Sequence, residues 1–378
     1  MAERGTKSEF TVETAAELAV GEPSSVIRGR SPWYLAWRRL RRNYVAFAFL
    51  ALFIFIIFAC TFAGLYAHYV AHTDPNAERP LGVLHVHGKR IPIISPGGYF
   101  DKKTGKPCGF TENPNACTIR SSIPVGPQWF NAGGRYVLGA DSLGRDVAVR
   151  LLYGGRNSLI IGVGSSAICV FFAIVLALVS GYFRGWVDFV VTRFFDLMFA
   201  FPVILLGIAL GASLAINGFH HKLWFISINL ESGSIWIPLL VISYVLIPYV
   251  GRPLRGQVLS IREKEFVEAA IAQGASPLRI MFSDLLPNIA SSVLVFFTLI
   301  MASNIVFEAV LSFLGAGVQL PTPSWGNLIA DGQNLISTRP WLALAPGIAI
   351  TLTVLSLNVF GDGLRDALDP RAKVKVEH

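Results

Sequence analysis

The sequence predicts an all-α integral membrane protein with six membrane-spanning helices. Of its 378 residues, 53% are hydrophobic and only 15% are charged, whereas a soluble domain is about 25% charged. The chain also has stretches of at least 20 residues without Asp, Glu, Lys or Arg, and about 20 residues let a helix cross the hydrocarbon. The apolar content excludes a mainly disordered chain, and 4 Cys are too few for a disulfide-rich scaffold.

Six of these stretches are predicted to be spans. Seven uncharged windows reach 20 residues, but the window 309–330 contains Pro321 and Pro323, which interrupt helical hydrogen bonding. The predicted spans are centred on 44–67, 158–182, 188–213, 234–251, 289–312 and 341–360.

The arginines predict the orientation of the spans. Arg38, Arg39, Arg41 and Arg42 directly precede the first span, and cations beside a first helix stay in the cytoplasm. Six spans then place both termini in the cytoplasm, together with the cation-rich loop 252–288. The net charge of +8 is therefore assigned to cytoplasmic segments and not to nucleic-acid binding.

The chain divides into five predicted segments. Residues 1–30 are polar and form a disordered cytoplasmic tail, and no cleavable signal peptide is expected there. The other segments are an interfacial helix with the first span (31–73), an outer insertion rich in Pro and Gly (74–136), a core of five spans (137–371) and a second cytoplasmic tail (372–378).

A short helix is predicted directly before the first span. Ser31 is a candidate N-cap and Pro32 a candidate first helical residue. Trp33, Trp37 and Leu40 recur at helical spacing opposite the arginines, which favours a helix lying in the membrane interface. A cytoplasmic extension of the first span is the alternative.

The outer insertion contains two candidate reactive pairs. Cys108 and Cys117 lie on the predicted outer side, where thiols oxidise, and a disulfide between them would close a short hairpin. Zinc binding is the rival hypothesis, but a nearby His pair is missing from this stretch. His85 and His87 alternate as on a strand, and without a third ligand they predict no metal site.

The loop 252–288 is predicted to hold two short helices joined at a glycine. The stretch before Gly274 is rich in helix formers, and Gly274 can end that helix in the left-handed conformation. Ser276 is a candidate N-cap and Pro277 the first residue of the second helix, which is expected to end at Leu286, ahead of Pro287.

One face of the first of these helices carries Phe266, Ala269, Ala270 and Gln273. The small alanines would let a partner's surface approach the backbone closely. The alternative is a helical hairpin that packs on the underside of the protein itself.

This loop resembles that of a known family. Glu268-Ala269-Ala270, followed by Gly274 and by Leu286-Pro287, resembles the EAA loop of binding-protein-dependent ABC importer permeases. The resemblance implies the type I ABC importer permease fold, and it implies that the loop docks on a cytoplasmic ATPase subunit. The coupling residues it implies are Phe266, Glu268, Ala269, Ala270, Gly274, Ser276, Pro277, Leu286 and Pro287.

Five further motifs, in order along the chain, are similar to the C-type permeases of dipeptide and oligopeptide importers. They are 138–146 with 150–159, 181–188, 201–202, 311–315 and 358–371. Asp284 departs from this branch, which usually has a His there, and the insertion 74–136 is longer than its usual outer loop.

The resemblance implies half of the translocation path of an ATP-driven importer of di- or oligopeptides in the bacterial plasma (inner) membrane. Nickel, a sugar or another small solute is the alternative cargo. The implied partners are a homologous B-type permease, two cytoplasmic ATPase subunits, an outer solute-binding protein and membrane lipid. The sequence lacks the Gly-x-x-x-x-Gly-Lys-Ser/Thr loop that cradles phosphates. The partners are therefore expected to bind and hydrolyse ATP, and the chain itself is expected to be no enzyme and to hold no cofactor or metal.

Polar and kinked positions within the spans have alternative interpretations. Phe201 and Pro202 are candidates for a gate or hinge, or for a static kink. Thr298, Ser303 and Asn304 either line a path or hydrogen-bond between helices.

An ion-driven secondary transporter is the less expected class. Such transporters depend on charged residues at mid-membrane, and Glu308, the carboxylate deepest in a predicted span, falls near the outer end of its helix.

We expect Cys108 and Cys117 to form a disulfide, because both lie in the same predicted outer loop. Intact mass and thiol labelling without reductant, on membranes from oxidising cells, should show no alkylation at either position. Free alkylation of both thiols would contradict the pairing.

Overall fold

The structure, a computed structural model, describes residues 32–86, 88–95, 97–101, 117–120, 122–129, 131–223 and 226–368. Its helices are α1 (Pro32–Arg42), α2 (Tyr44–Thr61), α3 (Val147–Phe183), α4 (Gly185–Phe199), α5 (Val203–Asn217), α6 (Trp236–Arg262), α7 (Glu265–Ala272), α8 (Pro277–Phe313), α9 (Trp325–Gln333) and α10 (Trp341–Leu368). The predicted tails 1–30 and 372–378 lie outside the described residues.

Six apolar spans are consistent with these helices. Within the described ranges, α2, α3, α6, α8 and α10 are each long and apolar enough to cross a membrane. The helix pair α4 and α5 passes the same test when it is taken as one broken span. The all-α membrane fold predicted from the sequence is therefore confirmed.

The third span differs from the single kinked helix that the sequence predicted. The chain turns by 87° between α4 and α5, and Pro202 adopts an extended backbone (φ −56°, ψ 125°) before α5 begins. Proline has no N–H and disfavours a helical conformation for the residue before it, here Phe201. The helix therefore ends at Phe199, and a new helix starts in another direction.

The fifth span is longer than predicted. The second helix of the loop was expected to end before Pro287, but it continues without a break from Pro277 to Phe313. A π-helical turn, Ile280–Leu285, lies just ahead of the proline. In a π-helical turn each backbone N–H bonds to the carbonyl five residues earlier, instead of four as in an α-helix. Single turns of this kind occur inside otherwise continuous α-helices. Pro287 can therefore lie inside a continuous helix.

The main core lies between α3, α4, α6 and α8. Large side chains from each helix are fully buried there, among them Ile161, Phe195, Ile242 and Ile289. A second cluster forms around Trp325, the first residue of α9, which is buried among α2, α3, α8 and α10. The bundle thus has two ends, which we call the loop end (residues 263–276) and the insertion end (residues 74–136).

A break at Asn43 separates α1 from α2. The Asn43 side chain accepts a hydrogen bond from the Ala46 N–H at 3.1 Å and caps α2. Leu40 of α1 is buried against Ala46 and Ala367. The helix before the first span is therefore a separate element that packs on α10.

The insertion forms small antiparallel sheets. Its strands are β1 (Val83–Val86), β2 (Lys89–Pro92), β3 (Ile94–Ser95), β4 (Gly98–Asp101), β5 (Cys117–Arg120) and β6 (Ile123–Pro124), paired as β1–β2, β3–β6 and β4–β5. A fourth hairpin, β7 (Phe219–Leu223) with β8 (Ile226–Leu230), follows α5.

The two reactive pairs of the insertion fall partly outside the described residues. His85 lies exposed in β1 opposite Arg90, while His87 is not described. Over the described ranges, no group of three or more His, Cys, Asp or Glu could hold a metal ion. Cys117 opens β5, Cys108 lies outside the described residues, and their disulfide stays a prediction.

A buried ion cluster joins α3 to α9 at the insertion end. Arg145 Nε lies 2.6 Å from Asp141 Oδ2, and its terminal nitrogen lies 3.1 Å from Asp331 Oδ2. The fully buried Arg150 lies 3.6 Å and 3.7 Å from the same two carboxylates. Burial raises the pKa of the Asp331 carboxyl above its ordinary value, and the two arginines act in the opposite direction. Two arginines thus balance two aspartates, as buried charges require.

We expect Gly155→Ala to destabilise the bundle. A Cβ at Gly155 would lie 2.5 Å from Cys60 Sγ and 2.7 Å from the Trp325 ring, and overpacking of this kind costs about 1–3 kcal/mol. Thermal unfolding in detergent should therefore occur at a lower temperature.

Gly256→Ala is the matched control for that substitution. Gly256 also lies inside a helix, α6, but a Cβ there meets nothing within 4 Å. Alanine is about 0.5–1 kcal/mol better than glycine inside a helix, so the control should melt at or above the wild-type temperature. Equal melting of both variants would show that the contact with Trp325 is not tight.

Candidate coupling loop and translocation face

The two-helix loop (residues 263–287) turns at Gly274, as predicted. Gly274 has φ +79°, in the left-handed region. The Ala275 N–H donates to the Ala270 carbonyl at 3.1 Å, and the Gly274 N–H donates to the Ile271 carbonyl at 2.9 Å. These two bonds form a Schellman motif, which satisfies the last carbonyls of α7. The turn between α7 and α8 is therefore a defined structure.

The second helix starts as the sequence predicted. The Ser276 side chain accepts from the Arg279 N–H at 3.4 Å, and Pro277 is the first helical residue. Leu286 is half-buried and Pro287 exposed, and both lie inside α8 rather than at its end. The second helix of the loop and the fifth span are therefore one continuous helix.

The loop is anchored by a residue that the sequence analysis did not single out. Val267, next to the predicted docking residues, is fully buried in the main core. Ile280, Met281 and Leu285 from the first turns of α8 are buried in the same cluster. The sequence shows Val267 as an apolar residue inside α7, but Ile271, one turn further on, is equally apolar and is exposed, so hydropathy alone does not identify the buried one. Movement of α7 must therefore displace α8.

The opposite side of the loop presents apolar side chains to the outside. Phe266, Ile271, Leu278 and Phe282 are all exposed. On the predicted face, Ala269 and Gln273 are exposed too, and Ala270 is half-buried against the core. Glu268, another predicted coupling residue, is exposed as well. Exposed apolar patches outside the hydrocarbon indicate a protein partner. The alternative was a helical hairpin that packs on the protein itself. In α7 only Val267 and Ala270 pack in this way.

Ion pairs connect α4 to α6 beside this loop. Asp188 accepts from both Arg255 Nε and the Arg255 terminal nitrogen, the latter at 2.5 Å. About two turns further along α4, Asp196 pairs with Arg252 and with Arg193. The Arg193–Asp196 pair lies within α4, whereas the contacts with α6 join distant segments of the chain and cannot be read from sequence spacing.

A further ion pair connects the end of α3 to the start of the loop. The Arg184 guanidinium, between α3 and α4, lies 2.7 Å from Glu263 Oε1, directly before α7. Arg262 lies with its guanidinium 5.5 Å from the Tyr182 ring centre. The start of the loop is therefore bound to the end of α3.

One stripe of α8 carries Leu299, Ser303 and Val306, all exposed. Ser303 and Val306 line a cavity of about 310 Å³, with Ile204 of α5 and Asn358 of α10. Of the three polar candidates for a path, only Ser303 faces this cavity.

The other two polar candidates serve packing. Thr298 is buried and donates to the Val295 carbonyl at 2.9 Å. The fully buried Asn304 amide lies 2.9 Å from the hydroxyls of Ser165 and Ser166 on α3. The Asn304 contacts hold α8 to α3, whereas the Thr298 bond stays within α8.

The predicted gate residues lie at the bend. Phe201 and Pro202 are both exposed and join α4 to α5, whose residue Ile204 lines the same cavity. Phe199 contacts Tyr249 of α6 at 4.8 Å between ring centres. The bend thus connects the ion-paired helix α4 to the cavity, and its role as a gate stays a hypothesis.

Glu308 is fully buried near the insertion end of α8. Its Oε1 accepts from the Ser312 hydroxyl at 2.7 Å, and that hydroxyl accepts from the Val318 N–H at 2.9 Å. Glu308 therefore fixes the segment between α8 and α9, which does not match the mid-membrane ion site of a secondary transporter.

Comparison with known proteins identifies the family. Residues 173–374 match the family described as "binding-protein-dependent transport system inner membrane component". The chain belongs to this family. Residues 31–82 also match the "N-terminal TM domain of oligopeptide transport permease C". The match at 173–374 includes the two-helix loop, so the resemblance of the EAA sequence is confirmed at the level of family.

Curated relatives of the permease cover most of its length. It is 40% identical to the dipeptide transport system permease protein DppC of Alkalihalophilus pseudofirmus over 250 residues, 66% of this chain and 74% of that one. It is 33% identical to the glutathione transport system permease protein GsiD of Pectobacterium atrosepticum over 344 residues, 91% and 93% of the two chains. A solved structure of inward-facing MetNI methionine ABC transporter covers 58% of the permease and 96% of its own chain, at 15% identity and a TM-score of 0.45.

The unusual Asp284 lies in the π-helical turn of the permease. It is half-buried, and its carbonyl accepts from Asn288 Nδ2 at 2.6 Å. The position is thus built into the start of α8, one turn from the exposed apolar side of the loop.

We expect the Asp188–Arg255 pair to be energetically coupled. Asp188→Arg and Arg255→Asp should each lower the thermal stability of the permease, because each leaves two like charges facing. The double variant restores opposite charges and should recover most of the loss, with a coupling energy of about 1 kcal/mol for this partly exposed pair. Additive losses, without recovery in the double variant, would argue against the contact.

Proposed function

We propose that this permease is one half of the translocation path of an ATP-driven importer of di- or oligopeptides in a bacterial inner membrane, with both termini in the cytoplasm. The observation that carries the proposal is the two-helix loop, whose exposed apolar side is suited to a partner and whose second helix is continuous with the span that lines the cavity. The named functions of the relatives, dipeptide and glutathione transport, support the class of solute.

The partners we propose follow from what the permease carries and lacks. Its sequence has no phosphate-cradling glycine loop, so two cytoplasmic ATPase subunits bind and hydrolyse the ATP. A homologous B-type permease supplies the other half of the path, and an outer solute-binding protein delivers the peptide. The permease itself performs no chemistry.

The cavity beside α8 suits a peptide. Ser303 supplies a hydroxyl and Asn358 an amide, and Ile204, Val306 and Val354 supply apolar surface. Hydroxyl and amide groups can exchange hydrogen bonds with peptide N–H and C=O groups, while aliphatic walls tolerate varied side chains. This lining favours peptides over nickel, which prefers imidazole, thiolate or carboxylate ligands.

The mechanism is mechanical. When the ATPase subunits close, they displace α7 through its exposed side, and the buried Val267 passes the displacement to the core. Because Pro277–Phe313 is one helix, its stripe at the cavity moves with its first turns. The path is thereby opened to one side of the membrane at a time, as in alternating access.

We expect Glu268→Lys and Gly274→Pro to reduce peptide uptake by about tenfold or more in membranes with matched expression, an uncoupling worth at least about 1.4 kcal/mol. The lysine reverses a charge on the exposed face, and proline's fixed negative φ is incompatible with φ +79°. Radiolabelled peptide uptake and co-purification of the ATPase subunits are the measurements.

Two control variants separate docking from folding. Glu231→Lys makes the same charge change at an exposed position far from the loop, and Gly274→Ala adds only the moderate strain of a left-handed alanine, since a Cβ there meets nothing within 4 Å. Both should retain most of the uptake. Wild-type uptake in Glu268→Lys and Gly274→Pro would refute the docking assignment.

A further inference from the structure

A groove opens between α1, α8 and α10 at the loop end. Trp37 and Leu40 of α1 form one wall, Leu294, Phe297 and Met301 of α8 a second, and Leu364 of α10 contributes to the third. Its volume is about 390 Å³. The groove belongs neither to the cavity at Ser303 nor to the two-helix loop.

The dimensions of the groove match one leaflet. Leu294 and Met301 are seven residues apart on α8, which corresponds to about 10 Å of helix rise. One leaflet of the hydrocarbon is about 15 Å thick. The groove is therefore an apolar slot running along the helices through most of the leaflet at the loop end.

Helix α1, which forms one wall of the groove, carries three exposed arginines, Arg38, Arg41 and Arg42. Arg41 lies on the Trp37 side of this helix, with its guanidinium 6.0 Å from the centre of the Trp37 ring. Trp37 thus contributes its ring to the wall and holds a cation at the rim. Tryptophan at the interface and cations just beyond it mark the level of the lipid headgroups.

The α10 side of the mouth carries mixed charge. Arg365 is exposed three residues before Leu368, which lines the groove, and Asp362 and Asp366 are exposed on the same turns. The exposed cations of α1 and of this part of α10 outnumber the two exposed carboxylates. The exposed charge on the two helices is therefore positive overall and is concentrated on α1.

We propose that this groove binds a diacyl anionic phospholipid. One acyl chain lies in the slot against Phe297, Met301 and Leu364, and the phosphate lies at the arginines of α1. An apolar wall at hydrocarbon depth, with guanidinium groups at headgroup depth, is the complement of such a lipid, and basic clusters directly beside a first span attract anionic headgroups. The proposal does not depend on what the permease transports.

Binding would also fix α1. Leu40 of α1 is buried against Ala46 and Ala367, and Trp37 of α1 lines the slot, so a lipid in the slot would add a contact that holds the interfacial helix in this position. The lipid would join α1 to the two spans, α8 and α10, that line the translocation cavity.

The test uses the assembled transporter, extracted from membranes and placed in nanodiscs of mixed phosphatidylglycerol and phosphatidylcholine. Native mass spectrometry then counts the lipids retained by the permease. We expect about tenfold enrichment of phosphatidylglycerol, which corresponds to about 1.4 kcal/mol. The triple variant Arg38→Gln, Arg41→Gln, Arg42→Gln should abolish the enrichment, and Leu364→Trp, which fills the slot, should prevent retention of either lipid.

Matched controls make the same changes elsewhere. Arg90→Gln removes an exposed arginine from β2, and Leu355→Trp enlarges an exposed residue of α10 outside the groove. Both should retain lipid as the wild type does. Equal retention of the two lipids by the wild type would overturn the proposal.

Three further results would also overturn it. Wild-type retention by Leu364→Trp would show that no chain enters the slot. Displacement of the lipid by inorganic phosphate alone would show a site for a free anion. Efficient crosslinking of a Leu364→Cys variant to a second permease subunit would show that protein occupies the groove.

Discussion

The unbroken helix from Pro277 to Phe313 is the constraint on which the rest of this structure depends. One end of it is part of the exposed loop, and the other borders the cavity at Ser303. A helix transmits displacement along its axis because each turn is hydrogen-bonded to the next. The π-helical turn ahead of Pro287 allows this continuity, since without it the proline would weaken the helix where the loop joins the membrane.

The elements around this helix divide into a rigid and a bent part. Van der Waals packing of Val267, Ile280 and Leu285 holds the loop to the core, and interior packing of this density moves as a unit. The ion pairs of Asp188 and Asp196 attach α4 to α6. Beyond the bend at Pro202, α5 points in another direction. A displacement of the loop therefore reaches the cavity by two routes, directly through α8 and through the bend.

Buried ion pairs and hydrogen bonds, rather than apolar packing, hold the insertion end together. There, the buried Arg145, Arg150 and Asp141 pair with each other and with the half-buried Asp331, and Glu308 and Ser312 fix the chain between α8 and α9. Removal of one member of a buried pair leaves a charge without compensation, which is more costly than the loss of a surface ion pair. The insertion end is accordingly suited to remain fixed, while the partly exposed ion pairs of the loop end can rearrange.

The sequence by itself determined the spans, the glycine turn at Gly274, the caps at Ser276 and Pro277 and the family, because these depend on hydrophobic length and on local backbone chemistry. Only the tertiary structure decided that Pro202 separates two helices by 87° while Pro287 leaves its helix continuous. A proline removes one hydrogen bond in either case, and the surrounding packing decides whether the chain turns or compensates. The same holds for Val267, Asp188 and Ser303, since burial, ion pairing and access to a cavity depend on neighbours that are far away along the chain.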